Sequence, residues 1–231
     1  HHPLIDFRLV AGALVSSGLA FKAASSLAVA GMGYLITLQL QLAWGWTAGQ
    51  AALGMLPQVV VLIAGGWIIG PLMKEWGLRV AAWLSSIAVV IGLGVYALLG
   101  TFGYAWIALA LVLVAAGMRV VGVVAGNNIM RGVPENRTTM GAALADTAGE
   151  VATGIGIALS GTILATMFTG TLTDGNWTDT QAEQFNTAVT WAGIILTVLA
   201  ALLVAWGIAR SRQREVNDHS ENERRSRPAS A

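Results

Sequence analysis

Along most of this chain the apolar residues form long unbroken runs, with none of the polar stripe that marks a water-facing helix. Six runs reach the ~20 residues that cross a ~30 Å hydrocarbon core. They cover residues 11–42, 48–72, 80–99, 104–129, 138–168 and 186–209. The pattern predicts an all-α membrane protein, a bundle of six transmembrane helices over residues 11–209. Residues 1–10 read as a short lead-in. Residues 210–231 are polar and of mixed charge, which predicts a disordered tail. Pro57 lies inside the second run and predicts a kink, because its ring removes a backbone donor.

The positive charges give an orientation. Arg8 precedes the first run, Lys74 and Arg79 separate the second and third, Arg131 and Arg137 the fourth and fifth, and Arg210, Arg212 and Arg214 follow the sixth. The alternate loops, 43–47, 100–103 and 169–185, contain no Lys or Arg. Both ends of the segment are therefore expected on the cytoplasmic side, in a bacterial cytoplasmic membrane. Trp44, Trp46, Trp76 and Trp106 near run ends suit an interfacial aromatic belt. Gly66 with Gly70, and Gly122 with Gly126, form small-xxx-small spacings that predict close helix packing.

Composition agrees with the runs. Of 231 residues, 55% are hydrophobic and 11% charged, against about 25% charged in soluble domains; mean hydropathy is +0.68. A net charge of +1 and the lack of a basic groove give no reason to expect nucleic acid as a partner. There is no cysteine, and the three histidines (His1, His2, His219) sit near the ends, so no metal site is expected. Neither a Ser/His pair nor a phosphate or dinucleotide fingerprint falls in the runs, so no enzyme activity and no cofactor are expected.

Candidate chemistry rests on four ionisable residues inside the runs: Lys22, Arg119, Asp146 and Glu150. Each would cost at least ~2.5–3.5 kcal/mol at a bilayer centre, which is tolerated where the group faces a polar cavity or a partner. Asp146 and Glu150 are one helical turn apart on one face. Counted at ~1.5 Å per residue from the basic end, Arg119 and Glu150 both lie ~18 Å deep. They can pair, leaving Asp146 as the group that exchanges a proton, or they can face apart. A pair can also serve helix packing alone. Lys22 lies nearer the interface, where it can reach either the polar interior or the headgroups. Asn127 and Asn128 can line the mouth of a cavity or cap a helix end. The third and sixth runs carry no ionisable residue, so these two are expected to face lipid.

Several stretches carry a family resemblance. Pro3-Leu-Ile-Asp-Phe-Arg-Leu9, Leu35-Ile-Thr-Leu-Gln-Leu-Gln41, Ala51-Ala-Leu-Gly-Met-Leu-Pro57 and the loop 133–137 followed by Gly141 resemble the C-terminal half of a major facilitator superfamily transporter. More specifically, they resemble the fourteen-helix drug:proton antiporters. Gly70, Leu72, Gly77 and Arg79 match that family's loop motif, while Lys74 and Glu75 depart from it. Asp146, Glu150, Gly156-Ile-Ala158 and Gly161-Thr162 resemble the branch that exports quaternary ammonium and other lipophilic cations. The resemblance implies proton coupling and cation recognition at Asp146 and Glu150. It implies efflux of amphipathic, cationic small molecules by alternating access, driven by the proton gradient, with an N-terminal helical half as the missing partner. Lys22 and Arg119 match no family feature. They support an alternative, export of an anionic or zwitterionic metabolite. A further class is a non-transporting half-size membrane scaffold.

Overall fold

A computed structural model describes residues 12–134, 137–169 and 177–226. The lead-in 1–10, most of the loop 169–185 with Asp174, and residues 227–231 lie outside the described residues. The described residues are almost all helical, and six stretches are long and apolar enough to cross a membrane. It is an integral membrane fold.

Helix α1, Ala13–Leu38, ends in a π-helical turn, Gln39–Ala43. Helix α2, Ala48–Gly54, opens with a capping box. There the Gln50 N–H donates to Thr47 Oγ1 (3.3 Å) and the Thr47 N–H to Gln50 Oε1 (2.9 Å), so two amides at the helix start find side-chain acceptors. The chain then turns at Met55, and Pro57 lies in the first turn of α3, Leu56–Leu99. Pro57 thus stands at a helix start instead of kinking a helix interior, because that position needs no amide donor.

Helix α3 carries most of the second and third spans, with no loop between them. A straight helix of 44 residues would reach ~66 Å. Its two ends nevertheless meet the same end of the bundle. Tyr104 O–H donates to the Gly54 carbonyl just before α3 (3.0 Å), and Gln39 Nε2 donates to the Gly100 carbonyl just after it (2.9 Å). The chain therefore reverses inside α3, between the spans Ala48–Gly65 and Val80–Phe102, and the hairpin expected from Lys74 and Arg79 is kept in helical form.

Helix α4 is Tyr104–Gly132, α5 is Thr138–Met167 and α6 is Asp179–Ser226. The last runs through residues 210–226, where the sequence predicts a disordered tail. A charged segment that continues a packed helix needs only propagation, which is far cheaper than nucleation.

Helix α1 is the axis of the bundle. Leu27, Ala28, Met32, Leu35, Ile36 and Leu40 are buried along it, and α4, α5 and α6 all pack on it. Small residues set these approaches. A Cβ on Gly156 of α5 would stand 2.8 Å from the Leu27 carbonyl oxygen, and one on Gly18 of α1 would stand 2.8 Å from that of Ala125 in α4. Gly117 of α4 likewise meets the Ser85 backbone, and Gly193 of α6 meets Ala97. Among the described residues no helix packs closely at Gly122 or Gly126, since a Cβ on either would meet nothing within 4 Å. Gly66 and Gly70 fall outside the residues whose packing is described.

Candidate functional site

Helix α5 brings the acids to the site. Its Gly149, Ala152, Gly156, Ser160 and Leu164 are buried, and at Gly156 it lies backbone-close to α1. Asp146 and Glu150 stand on the flank of this buried stripe and are exposed. The helical period explains the split: a stripe at 149, 152, 156 and 160 leaves 146 and 150 together on one edge.

Lys22 reaches this helix from α1. A Cβ on Gly149 would lie 2.9 Å from Lys22 Cε and 3.1 Å from Ser26 Oγ. The lysine stem therefore lies across the one turn of α5 that carries both acids, and glycine at 149 leaves room for it. Lys22, Ser26, Gly33 and Thr37 form a half-buried edge of α1 at helical spacing. Farther along the same pair of helices, Tyr34 Oη lies 3.5 Å from a Cβ on Gly161.

Arg119 stands on an exposed edge of α4, in line with the open positions Gly122 and Gly126. The short α4–α5 connection suggests that these helices stay neighbours, but they meet chiefly near their joined ends, where Gly141 contacts Ile129 and Val133. Beyond that point α5 follows α1. Among the described residues, no ion pair within 4.0 Å joins Arg119, Lys22, Asp146 or Glu150 to any partner. Asn128 does not cap: its Nδ2 donates to Ser17 Oγ at 3.4 Å and ties α4 to α1. Asn127 is half-buried, five residues before the end of α4 at Gly132.

Two features of this arrangement had no clear signal in the sequence. One is the meeting of Lys22 with the acid-bearing turn, for which Gly149 between the acids was the available hint. The other is a buried polar bridge at the opposite end: Tyr96 O–H donates to Gln39 Oε1 (3.1 Å), and Gln39 Nε2 donates to the Gly100 carbonyl (2.9 Å). It sits where α1 passes into its π-turn, beside a cluster of aromatic rings that includes Trp44, Trp46 and Tyr104.

Chemically, the site offers two carboxylates on an accessible flank, a flexible ammonium stem across the same turn, and a guanidinium on a separate helix. Such a face can hold a cation at the acids, or exchange it for protons, while the lysine supplies a tethered competing charge.

No family model matches the chain. It is similar to the methyl viologen resistance protein SmvA of Salmonella typhimurium. Identity is 27% over 174 residues, both for strain 14028s / SGSC 2262 and for strain LT2 / SGSC1412 / ATCC 700720. The match covers 74% of this chain and 34% of each relative. The aligned region thus spans about a third of the length of the curated relatives it matches.

Proposed function

We propose that this chain is the C-terminal six-helix half of a proton-coupled exporter of amphipathic cations, related to the major facilitator drug:proton antiporters. The observation that carries the reading is the pair Asp146 and Glu150, exposed on the flank of a helix that otherwise buries itself on α1. Two carboxylates in an apolar span are retained only against a real desolvation cost, and their open edge leaves room for the partner that cost demands. The likeness to a methyl viologen resistance protein supports a flat organic cation as cargo. In the cycle, the acids hold either protons or cargo, and each loaded form favours a different orientation of the two halves. The glycine edge of α4 at Gly122 and Gly126, open among the described residues, suits the close approach of helices from the other half. The Arg-bearing loops on one side support a cytoplasmic position for both ends of the segment.

The test is uptake of methyl viologen into vesicles that hold the full-length protein under an imposed proton gradient. Accumulation should disappear when the gradient is collapsed and fall at least tenfold in Asp146→Asn. Residues 1–231 alone should give none. Accumulation that survives gradient collapse, or a wild-type rate in the Asp146→Asn/Glu150→Gln double variant, contradicts the reading.

A second reading, export of an anionic or zwitterionic metabolite, draws on the exposed Arg119 and on Lys22. It requires Arg119→Gln to abolish transport while Asp146→Asn spares it, the reverse of the ordering expected here.

A further inference from the structure

Helices α1 and α5 lie side by side and run in the same direction: Lys22 meets Gly149, Leu27 meets Gly156 and Tyr34 meets Gly161. Helical phase puts three charges on one flank of this contact. From Gly149, Asp146 and Glu150 lie about 60° and 100° round α5 in one sense, and both are exposed. On α1, Lys22 is displaced from Leu27 and Tyr34 in the opposite sense. Two parallel helices face each other, so opposite senses of rotation lead to the same flank.

The ammonium is within reach of both acids. A Cβ on Gly149 would lie 2.9 Å from Lys22 Cε, and helix neighbours three apart have Cβ atoms ~5–6 Å apart. The nitrogen, one bond beyond Cε, therefore reaches either carboxylate by side-chain rotation alone. Glycine at 149 allows this, since any Cβ would stand in the path of the stem. No ion pair within 4.0 Å forms in this conformation. Lys22 is half-buried, and its nitrogen is not one of the fully buried unpartnered atoms, so it opens onto the flank. Ser26 Oγ, 3.1 Å from the same Cβ position, is a second polar atom beside it. The pairing is available and unmade, as a switchable contact requires.

We propose that Lys22 is the resident cation of the acid pair. Its ammonium holds Asp146 or Glu150 when neither proton nor cargo does, and an arriving cation displaces it. The inference rests on reading the two acids as the cation site. The tether gives the lysine its strength: a charge held within one side-chain length competes at millimolar effective concentration. If it holds the acids about nine-tenths of the time, the apparent Kd of the cargo is about tenfold above its intrinsic value. The same ammonium returns as cargo leaves, so release never strands two bare carboxylates in an apolar span. Arg119 does not share this part, because α4 meets α5 chiefly near their joined ends.

The test is equilibrium binding of radiolabelled methyl viologen to the full-length protein in detergent, with uptake into vesicles measured alongside. Lys22→Met and Lys22→Gln should each bind about tenfold tighter and turn over more slowly, since release loses its competitor. Lys22→Arg keeps the charge and should lie nearer wild type than either neutral variant. In the wild-type protein, reductive methylation read by peptide mass spectrometry should speed up at Lys22 when methyl viologen binds, because the amine is set free. Weaker or unchanged binding in both neutral variants, or protection of Lys22 by the bound cation, would overturn the inference while leaving the acids as the cation site. Wild-type affinity in Asp146→Asn/Glu150→Gln would instead overturn the reading of the acids, and this inference with it.

Discussion

Removing the Tyr96 hydroxyl probes the polar bridge that ties α1 to the third span. Tyr96 and Gln39 are fully buried, and their two bonds run in series, from Tyr96 O–H to Gln39 Oε1 and from Gln39 Nε2 to the Gly100 carbonyl. Tyr96→Phe leaves one group, Gln39 Oε1, without a partner. Gln39→Leu leaves two, the Tyr96 hydroxyl and the Gly100 carbonyl. The double variant leaves only the carbonyl. An orphaned buried polar group costs about 1–3 kcal/mol, so the expected losses are ~1–3 for Tyr96→Phe, ~2–6 for Gln39→Leu and ~1–3 kcal/mol for the double. Interhelical bonds in membranes average nearer ~0.6 kcal/mol, which would scale all three losses down together. The ordering does not depend on the absolute scale: the double variant should be more stable than Gln39→Leu alone. Unfolding of the purified full-length protein by sodium dodecyl sulfate, followed by tryptophan fluorescence, measures it. If the double variant loses the sum of the two single losses, the residues act separately and the bridge reasoning is wrong.

Other substitutions read the packing in the same assay. Gly156→Ala should cost about 1–3 kcal/mol, because its Cβ meets the Leu27 carbonyl at 2.8 Å, whereas Gly154→Ala, with nothing within 4 Å, should be neutral or stabilising by up to ~1 kcal/mol. Gly149→Ala should fall between them, since the Lys22 stem 2.9 Å away can swing aside where a backbone cannot. Thr47→Ala removes the α2 cap and should cost about 0.5–2 kcal/mol, seen first as faster hydrogen exchange at the Gln50 amide.

Much of the architecture could be read from the run lengths alone, because a bilayer fixes how long an apolar helix must be. The second and third spans were legible as a pair, yet the helical path between them was not. Gly70, Pro71 and Gly77 look like loop residues in isolation, and hydropathy carries no information on how a reversal is built. Pro57 was legible as a disruption, but whether it kinks a helix or starts one depends on the turn at Met55. The acid pair was legible from spacing. Its surroundings were not: a short connection ties only the ends of α4 and α5, and the small residues from Gly149 to Ser160 draw α5 onto α1 instead. Lys22 therefore meets the acid-bearing turn, while Arg119 stays apart on α4. Gly122 and Gly126 show the limit of motif reading, since their spacing is common to packed and open helix faces alike.

The central claim is that Asp146 and Glu150 give up protons when a cation takes their place. The most direct measurement is proton release on adding methyl viologen to the full-length protein in weakly buffered detergent, followed with a soluble pH indicator. Wild type should release protons in proportion to the cation bound, and the Asp146→Asn/Glu150→Gln variant should release none. Equal release from both proteins would contradict the account.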